Sequence, residues 1–175
     1  MNLYTPEYQV QGNEIAIFET SKGVIKVKLD GEGAPIHVAN FCELANKGFY
    51  NGTIFHRYVP GFVVQGGDPI TKDLTPDEVR AGGKFGSPQP GTGGPGYHIK
   101  EEFSTNPNNS HEDAALAMAR SMNPDSAGSQ FYFCLGAQHN LDSGYTVFGQ
   151  TIEGKDVISE LNVGDEIISI SIQND

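Results

Sequence analysis

The residues best suited to chemistry lie in one short segment, residues 54–68. This segment places the guanidinium of Arg57, the ring of Phe62 and the carboxamide of Gln65 beside an apolar stretch. The Pro60-Gly61 pair predicts a turn between Arg57 and the other two residues, so that all three face one shallow groove. A charged donor, an aromatic ring and an amide in one groove could together grip a proline residue.

The same segment resembles the signature of the cyclophilin family of peptidyl-prolyl cis-trans isomerases. Further segments follow in the family's order along the chain: Gly91-Thr92-Gly93-Gly94, Ala117-Met118-Ala119-Arg120, Gly128-Ser129-Gln130-Phe131, Leu141-Asp142 and Val147-Phe148-Gly149. Residues 40–50 resemble the family's first helix, so the similarity runs from about Glu14 to about Ile172. Chance does not easily supply so many ordered matches, and the chain is identified as a member of this family.

The resemblance implies which residues act on a substrate. Arg57, Phe62 and Gln65 are expected to be catalytic, with Arg57 donating a hydrogen bond to the prolyl nitrogen and Gln65 orienting it. Phe131 lies one residue before Tyr132 on an alternating strand, so its side chain should point the other way, into the core. The expected substrate-binding residues are Val59, Val63, Gly91, Ala119, Arg120, Ser121, Gln130, Tyr132, Asn140, Leu141 and Tyr145.

Some of these positions depart from the family's common pattern. Tyr132 stands where phenylalanine is usual, Asn140 where tryptophan or another aromatic residue is usual, and Tyr145 where many members carry histidine. We therefore expect a pocket that is more polar than is typical. We also expect only weak binding of cyclosporin, a cyclic peptide that is a ligand for this groove throughout the family.

Other kinds of site are not supported by the sequence. Residues 91–96 match the G-x-G-x-x-G dinucleotide fingerprint, but Pro88 and Pro90 precede them where a strand is required, and no helix pattern follows. These glycines are better interpreted as a loop that runs close beside a bound peptide. The histidines lack zinc-ligand spacing, and Cys42 and Cys134 are isolated residues that we expect to be buried. No metal or organic cofactor is implied.

Two functions remain open at this point. In the first, the chain is an enzyme that accelerates rotation about X-Pro bonds in folding proteins. In the second, it is a chaperone-like module that binds proline-containing segments in the same groove without turnover. The presence of Arg57 favours the enzyme, because binding alone does not require a donor aimed at the prolyl nitrogen.

Composition restricts the partners and the compartment. The formal net charge of -11 argues against nucleic acid and anionic membranes, because phosphate binding draws on clustered Lys and Arg. Residues 1–13 have neither a basic start nor an apolar core, so they do not resemble a secretory signal, and the expected compartment is the cytoplasm. We expect a monomer whose partners are proline-containing peptides and unfolded protein clients.

The pattern of apolar residues predicts a mainly β fold, which the 22 glycines and 10 prolines also favour. Helical spacing predicts one α-helix from Pro35 to about Gly48 and another at residues 154–161. With the family resemblance, the expected architecture is a closed eight-stranded antiparallel β-barrel capped by two α-helices. Strands are predicted at residues 15–18, 24–29, 54–56, 62–65, 99, 116–119, 131–135, 147–150 and 167–172.

The domain organisation is predicted from where the resemblance begins and where it is interrupted. We expect an N-terminal extension at residues 1–13 and an isomerase domain at residues 14–175, with an insertion at residues 70–90. Thr75, followed by a proline and two acids, predicts an N-cap and a brief helix that ends near Arg80. The insertion is either a surface loop or a flap that narrows the range of residues accepted beside the proline.

Overall fold

The computed structural model describes residues 3–175, and this part of the chain forms eight β-strands and three α-helices. The α-helices are α1 Pro35–Asn46, α2 Pro76–Arg80 and α3 Lys155–Glu160, and 3-10 turns span Pro69–Asp73 and His139–Leu141. Ile99, predicted as a strand, makes a single bridge to Ala127. The strands are β1 Glu14–Thr20, β2 Gly23–Leu29, β3 Arg57–Val59, β4 Val63–Gly66, β5 Ala115–Met118, β6 Phe131–Cys134, β7 Val147–Glu153 and β8 Ile167–Asn174.

All eight strands form one antiparallel sheet in the order β3-β4-β6-β5-β7-β2-β1-β8. The outer strands β3 and β8 do not form a ladder with each other, and an isolated bridge between Ile54 and Glu166 joins the two sides. The sheet is therefore an open half-barrel, and the prediction of a closed barrel is wrong. The physical reason is the length of β3, which has three residues and begins only after Ile54.

The segment before β3 also explains why one strand is displaced from its predicted position. The sequence predicts a strand at residues 54–56, whereas β3 begins at Arg57. The backbone N–H of Ile54 donates to the Thr71 hydroxyl at 2.8 Å, and the N–H of Phe55 donates to the Asp165 carbonyl at 2.9 Å. Because a side chain and a loop take up these donors, the ladder with β4 starts three residues later.

An aromatic core fills the space between the sheet and α1. Along β1 and β2, buried residues alternate with more exposed ones, as expected for strands with one face on a core. The rings of Phe18, Phe41, Phe131 and Phe133 are fully buried and form a cluster of tilted and edge-to-face contacts. The predicted core position of Phe131 is confirmed. Truncating a buried phenylalanine to alanine typically costs about 3 to 5 kcal/mol, so this cluster is a major source of stability.

Both main helices form where the sequence predicts them. α1 begins at Pro35, whose missing N–H would have no partner in a first turn, and it ends before Gly48, which has a φ of 73°. α1 packs against β8, and α3 packs against β2. With 12 residues α1 is the longest helix, and none of the helices within residues 3–175 is long and apolar enough to cross a membrane.

The insertion at residues 70–90 has a packed first half and an exposed second half. The Glu78 N–H donates to Oγ1 of Thr75 at 3.1 Å and the Thr75 N–H donates to the Glu78 carboxylate at 2.9 Å, so a reciprocal cap starts α2. Leu74 and Val79 are buried together with Ile54. The predicted brief helix is confirmed. Residues 81–90 form neither helix nor strand, and the side chain of Phe85 is fully exposed.

Residues 3–13, here termed the N-terminal strap, cross the surface without regular secondary structure. Tyr4, Tyr8 and Val10 pack against the edge of the core. The backbone N–H groups of Glu7 and Tyr8 donate to the Glu43 carboxylate on α1, at 2.8 and 3.2 Å. The strap is thus bound to the domain by its own contacts as well as by the chain connection to β1.

Candidate active site

Arg57 and Gln65 lie opposite each other on a hairpin. β3 and β4 are antiparallel neighbours, and their register pairs Arg57 with Gln65. The turn between the strands passes through Gly61, whose φ of 69° is easily adopted by a residue without a Cβ atom. Directly opposed residues point to the same face of a sheet, and Nη1 of Arg57 donates to Oε1 of Gln65 at 3.3 Å. The structure therefore contains both the turn and the proximity that the sequence predicts.

Gln65 is itself oriented by a second carboxamide. Nε2 of Gln65 donates to Oε1 of Gln130 at 3.0 Å, and Nε2 of Gln130 donates to the Gly93 carbonyl at 2.8 Å. This chain of amides leaves Oε1 of Gln65 as the acceptor for Arg57. Because Arg57 is exposed, its remaining N–H groups are accessible to a ligand.

A cavity of about 160 Å³, here the smaller cavity, opens beside this pair. Most of its lining is apolar or aromatic, and the rings of Tyr132 and Tyr145 meet edge to face with 6.2 Å between their centroids. An apolar floor with a guanidinium at one side suits a proline ring whose peptide bond lies next to the charge. The lining residues are Arg57, Phe62, Val63, Gln65, Ala119, Arg120, Tyr132, Leu141 and Tyr145.

The hydroxyl of Tyr132 does not make the smaller cavity polar. It lies 2.9 Å from Nε2 of His111, a fully buried residue whose Nδ1 lies 2.8 Å from a carboxylate oxygen of Asp142. Burial lowers the pKa of His111 below its ordinary value of 6.5, although Asp142 acts in the opposite direction. At neutral pH the uncharged imidazole thus donates to Asp142 and accepts from Tyr132. The expectation of a more polar pocket is wrong at this position, because a buried partner takes up the added hydroxyl.

A second cavity of about 770 Å³, the larger cavity, adjoins the smaller one and shares Gln65, Ala119 and Arg120 with it. Its walls are the glycine loop, defined as residues 91–98, and the opposing residues 119–121, 126 and 128–130. Glycines and backbone groups form much of this surface, so it lacks an apolar floor for a proline ring. It is better suited to the extended chain of a peptide that continues beyond the proline.

The buried carboxylate of Asp68 holds the start of the glycine loop. Oδ2 of Asp68 accepts from the backbone N–H groups of Gly91 at 2.5 Å and Gly93 at 3.3 Å, and Oδ1 accepts from Ile70 at 2.9 Å. A Cβ atom at Gly93 would collide with Oδ1 of Asp68, so no larger residue fits there. Sequence reasoning missed this role, because the glycine partners lie 23 and 25 residues further along the chain.

Arg120 lies between the two cavities and is fixed by several contacts. Its Nε donates to the Gly144 carbonyl at 2.7 Å, and its Nη1 donates to the Ser121 carbonyl at 2.9 Å. Its guanidinium carbon also lies 4.6 Å from the ring centroid of Tyr145, within range of a cation–π contact. Arg120 thus joins the wall of the larger cavity to the wall of the smaller one.

Some predicted binding residues lie in the larger cavity alone, and others line neither cavity. Asn140 is exposed on the 3-10 turn His139–Leu141, next to the cavity residue Leu141. The residues that line only the larger cavity are Gly91, Ser121 and Gln130. Those that line neither cavity are Val59 and Asn140. Their part in binding stays a prediction.

His56 packs beside the glycine loop, with its ring next to Gly91. Within residues 3–175, its two ring nitrogens are buried and have no hydrogen-bond partner. Burial lowers the pKa of His56 below its ordinary value of 6.5, with Arg57 acting in the same direction and Asp68 against it. At neutral pH an uncharged imidazole therefore lies beside Gly91, at the start of the loop that Asp68 holds.

Comparison with known proteins defines the family. The model for cyclophilin type peptidyl-prolyl cis-trans isomerases matches residues 15–172. A peptidyl-prolyl cis-trans isomerase of Synechococcus elongatus is 40% identical over 162 residues, which cover 91% of this chain and 97% of that protein. Peptidyl-prolyl cis-trans isomerase B of Bacillus subtilis is 40% identical over 149 residues, which cover 85% of this chain and 90% of that protein.

A solved structure shares the fold. The crystal structure of a cyclophilin type peptidyl-prolyl cis-trans isomerase of Cryptosporidium parvum, in the presence of the dipeptide Ala-Pro, matches with a TM-score of 0.74 and 26% identity. The match covers 92% of this chain and 99% of that one. The chain belongs to the cyclophilin family of peptidyl-prolyl cis-trans isomerases.

Proposed function

We propose that this isomerase accepts X-Pro segments of folding proteins, with the proline ring in the smaller cavity and Arg57 as the catalytic donor. The position of Arg57 carries the proposal, because its guanidinium lines an apolar cavity and donates to Gln65 at 3.3 Å. The Cryptosporidium parvum relative was solved with Ala-Pro, which supports a proline-containing ligand for the same groove.

The reaction needs a catalyst because amide resonance opposes rotation about the X-Pro bond, with a barrier of about 18 to 20 kcal/mol. In the twisted transition state this conjugation is lost, and the prolyl nitrogen regains a lone pair that can accept a hydrogen bond. A donor that meets the nitrogen only in the twisted state lowers the barrier without binding the planar substrate more tightly. No covalent bond is made or broken in this step.

A guanidinium suits this role, since it is charged throughout the working pH range and presents its donors in a rigid fork. An acceleration of about five decades requires roughly 7 kcal/mol of preferential transition-state stabilisation. A hydrogen bond from a charged group contributes about 1.5 to 3 kcal/mol. We assign the remainder to positioning of the ring and the peptide by the two cavities.

The larger cavity indicates what kind of client is accepted. Its walls are rich in glycines, hydroxyls and backbone groups, which make few demands on the side chains of a bound peptide. Unfolded proteins present many different sequences around their prolines, so a tolerant second cavity suits a function in protein folding. The acidic net charge of -11 fits a soluble protein that binds chains and not phosphates.

The function is tested by NMR exchange spectroscopy on a short blocked X-Pro peptide with substoichiometric protein. We expect saturable acceleration of cis-trans exchange, and a faster prolyl-limited phase when an unfolded client protein refolds. A non-catalytic binding module would shift the peptide resonances without accelerating the exchange. That outcome would overturn the proposal in favour of the second function considered above.

A further inference from the structure

The N-terminal strap reaches the wall of the larger cavity, although it lies before residues 15–172, the part matched by the family model. We propose that Tyr4 of the strap is a positioning residue that holds the glycine loop and thereby sets the affinity for peptide residues that flank the proline. This inference rests on the proposed function. It assigns to the strap a role in substrate selection that the smaller cavity and Arg57 do not provide.

Tyr4 contacts the end of the glycine loop in two ways. Its backbone N–H donates to the His98 carbonyl at 2.8 Å. Its ring packs on the ring of Tyr97, with 4.2 Å between centroids and 34° between planes. Tyr97 and His98 both line the larger cavity, so the strap lies directly behind this wall.

Tyr97 extends the contact to the opposite wall. The Tyr97 hydroxyl donates to Oδ1 of Asn40, a fully buried residue of α1, and Nδ2 of Asn40 donates to the Gly128 carbonyl at 2.8 Å. Gly128 lines the larger cavity and packs against Pro95 and Tyr97, at the place where the glycine loop meets residues 128–130. The buried amide of Asn40 therefore ties the end of the glycine loop to residues 128–130 where the two walls meet, and Tyr4 packs on the Tyr97 ring that supplies one of its partners.

Tyr4 is itself fixed to α1. Its hydroxyl donates to the carboxylate of Glu43, which lies three residues after Asn40 and hence on the same face of the helix. The hydrogen bond to Glu43 is the main cause that raises the pKa of Tyr4 to about 12, so the hydroxyl remains a donor at neutral pH. The same carboxylate also accepts from the backbone of the strap at 2.8 and 3.2 Å.

The glycine loop depends on such anchors because it has little structure of its own. Residues 91–96 form neither helix nor strand. Gly91 and Gly96 have φ values of 98° and 91°, and glycine can change readily between positive and negative φ. Asp68 and Gln130 hold the first half of the loop. Tyr4 and Asn40 hold the second half, so loss of the Tyr4 ring should loosen one wall of the larger cavity and leave the smaller cavity intact.

The test compares two substrates in the full-length protein. A blocked Ala-Pro dipeptide fills the smaller cavity alone, whereas a six-residue peptide with a central proline also enters the larger cavity. We expect Tyr4→Ala to raise KM for the six-residue peptide by about three- to tenfold, which is the range expected for loss of an aromatic pair. We expect kcat for both peptides, and KM for the dipeptide, to change by less than about twofold.

Two further variants separate positioning from general stability. Gln9 is an exposed strap residue whose side chain bonds only within the strap. Gln9→Ala should therefore leave KM and kcat unchanged for both peptides. Glu43→Gln keeps the Tyr4 ring but weakens its acceptor, and we expect a KM increase of about two- to threefold for the six-residue peptide alone. If Tyr4→Ala reduces the folded fraction in a denaturant titration, the KM values of Glu43→Gln show whether Tyr4 positions the larger cavity or only stabilises the fold.

The inference would be overturned if Tyr4→Ala raised KM equally for both peptides, or if it changed KM for neither. Failure of the proposed function is recognised separately, because wild type would then not accelerate exchange in the dipeptide. In that case, the dissociation constant of the six-residue peptide, measured from NMR shifts, takes the place of KM. An unchanged dissociation constant in Tyr4→Ala would show that the strap does not position the larger cavity.

Discussion

Nε2 of His111 lies 2.9 Å from the hydroxyl oxygen of Tyr132, which connects a wall of the smaller cavity to a fully buried imidazole. The other ring nitrogen lies 2.8 Å from Asp142, the residue that follows the cavity residue Leu141. One chain of three side chains therefore joins two walls of the smaller cavity. It explains how tyrosine can replace the phenylalanine that is usual in the family without placing a polar group beside the substrate.

Removing the Tyr132 hydroxyl should destabilise the fold more than it impairs catalysis. In Tyr132→Phe the buried Nε2 of His111 loses its partner, and we expect the free energy of unfolding to fall by about 1 to 3 kcal/mol. Isomerase activity at saturating substrate should persist, because the ring remains in the cavity wall. Tyr145→Phe is the matched control, since that ring lines the same cavity, and it should change stability by less than about 0.5 kcal/mol. Equal effects of the two changes in urea titrations would contradict this account.

Stability should decrease as the pH falls below 6.5. The folded-state pKa values of His56 and His111 are lowered below that ordinary value, chiefly by burial. Between the folded and unfolded pKa values the unfolded chain binds more protons, so the free energy of unfolding falls with decreasing pH. Asp142 adds a separate loss at lower pH, because its pKa lies below the ordinary value of 3.8: burial opposes this shift, but hydrogen bonds from His111 and His139 outweigh it.

The pH dependence is checked by denaturant unfolding at several pH values and by NMR titration of the two histidines. We expect both histidines to titrate below 6.5 in the folded protein. Two results would contradict this account: a midpoint at or above 6.5 for His111, or stability that rises on acidification from neutral pH. Either would show that the buried imidazole is charged and that its Nε2 donates to the Tyr132 hydroxyl instead of accepting from it.

Arg57 should be essential for turnover and dispensable for folding. We expect Arg57→Ala to lower kcat by two or more decades, about 3 kcal/mol, because the donor to the prolyl nitrogen is lost. The side chain is exposed, so the free energy of unfolding should change by less than about 0.5 kcal/mol. Arg57→Lys retains the charge without the fork of donors and should give an intermediate rate. Exchange rates equal to wild type in Arg57→Ala would remove this residue from the mechanism.

Asn140 should limit the affinity for cyclosporin. Its side chain is exposed at the edge of the smaller cavity, where an indole would add buried area and a directed donor. We expect Asn140→Trp to tighten binding by about thirty- to more than a hundredfold, or roughly 2 to 3 kcal/mol, while isomerase activity stays the same. Calorimetric titration of both proteins is the measurement, and similar dissociation constants would show that this position does not control affinity.

The second half of the insertion should not select substrates. None of residues 70–90 lines either cavity, and residues 81–90 are mainly exposed. These observations favour the surface-loop interpretation over a flap. Replacing residues 81–89 by a short glycine linker should leave the preference across a library of X-Pro peptides unchanged, with Asp68 still holding Gly91. A broadened preference would instead support the flap.

Much of the site follows from local patterns in the sequence. Pro60-Gly61 predicts the turn that sets Arg57 opposite Gln65, and the alternation along β6 predicts that Phe131 points into the core while Tyr132 faces the groove. Thr75 predicts the capped start of α2. These features depend on residues within a few positions of each other, so that steric preference, capping and strand alternation are enough to specify them.

Other features were decided only when distant segments came together. His111 and Tyr132 are 21 residues apart, Gln65 and Gln130 are 65 apart, and no local rule pairs them. The late start of β3 was likewise decided by distant contacts, because Thr71 and Asp165 accept the backbone N–H groups of Ile54 and Phe55. Sequence therefore determined the family, most of the elements and the hairpin that sets Arg57 opposite Gln65. Tertiary structure decided which buried groups bond to one another, because a polar group removed from water takes whichever partner the packed chain brings within reach.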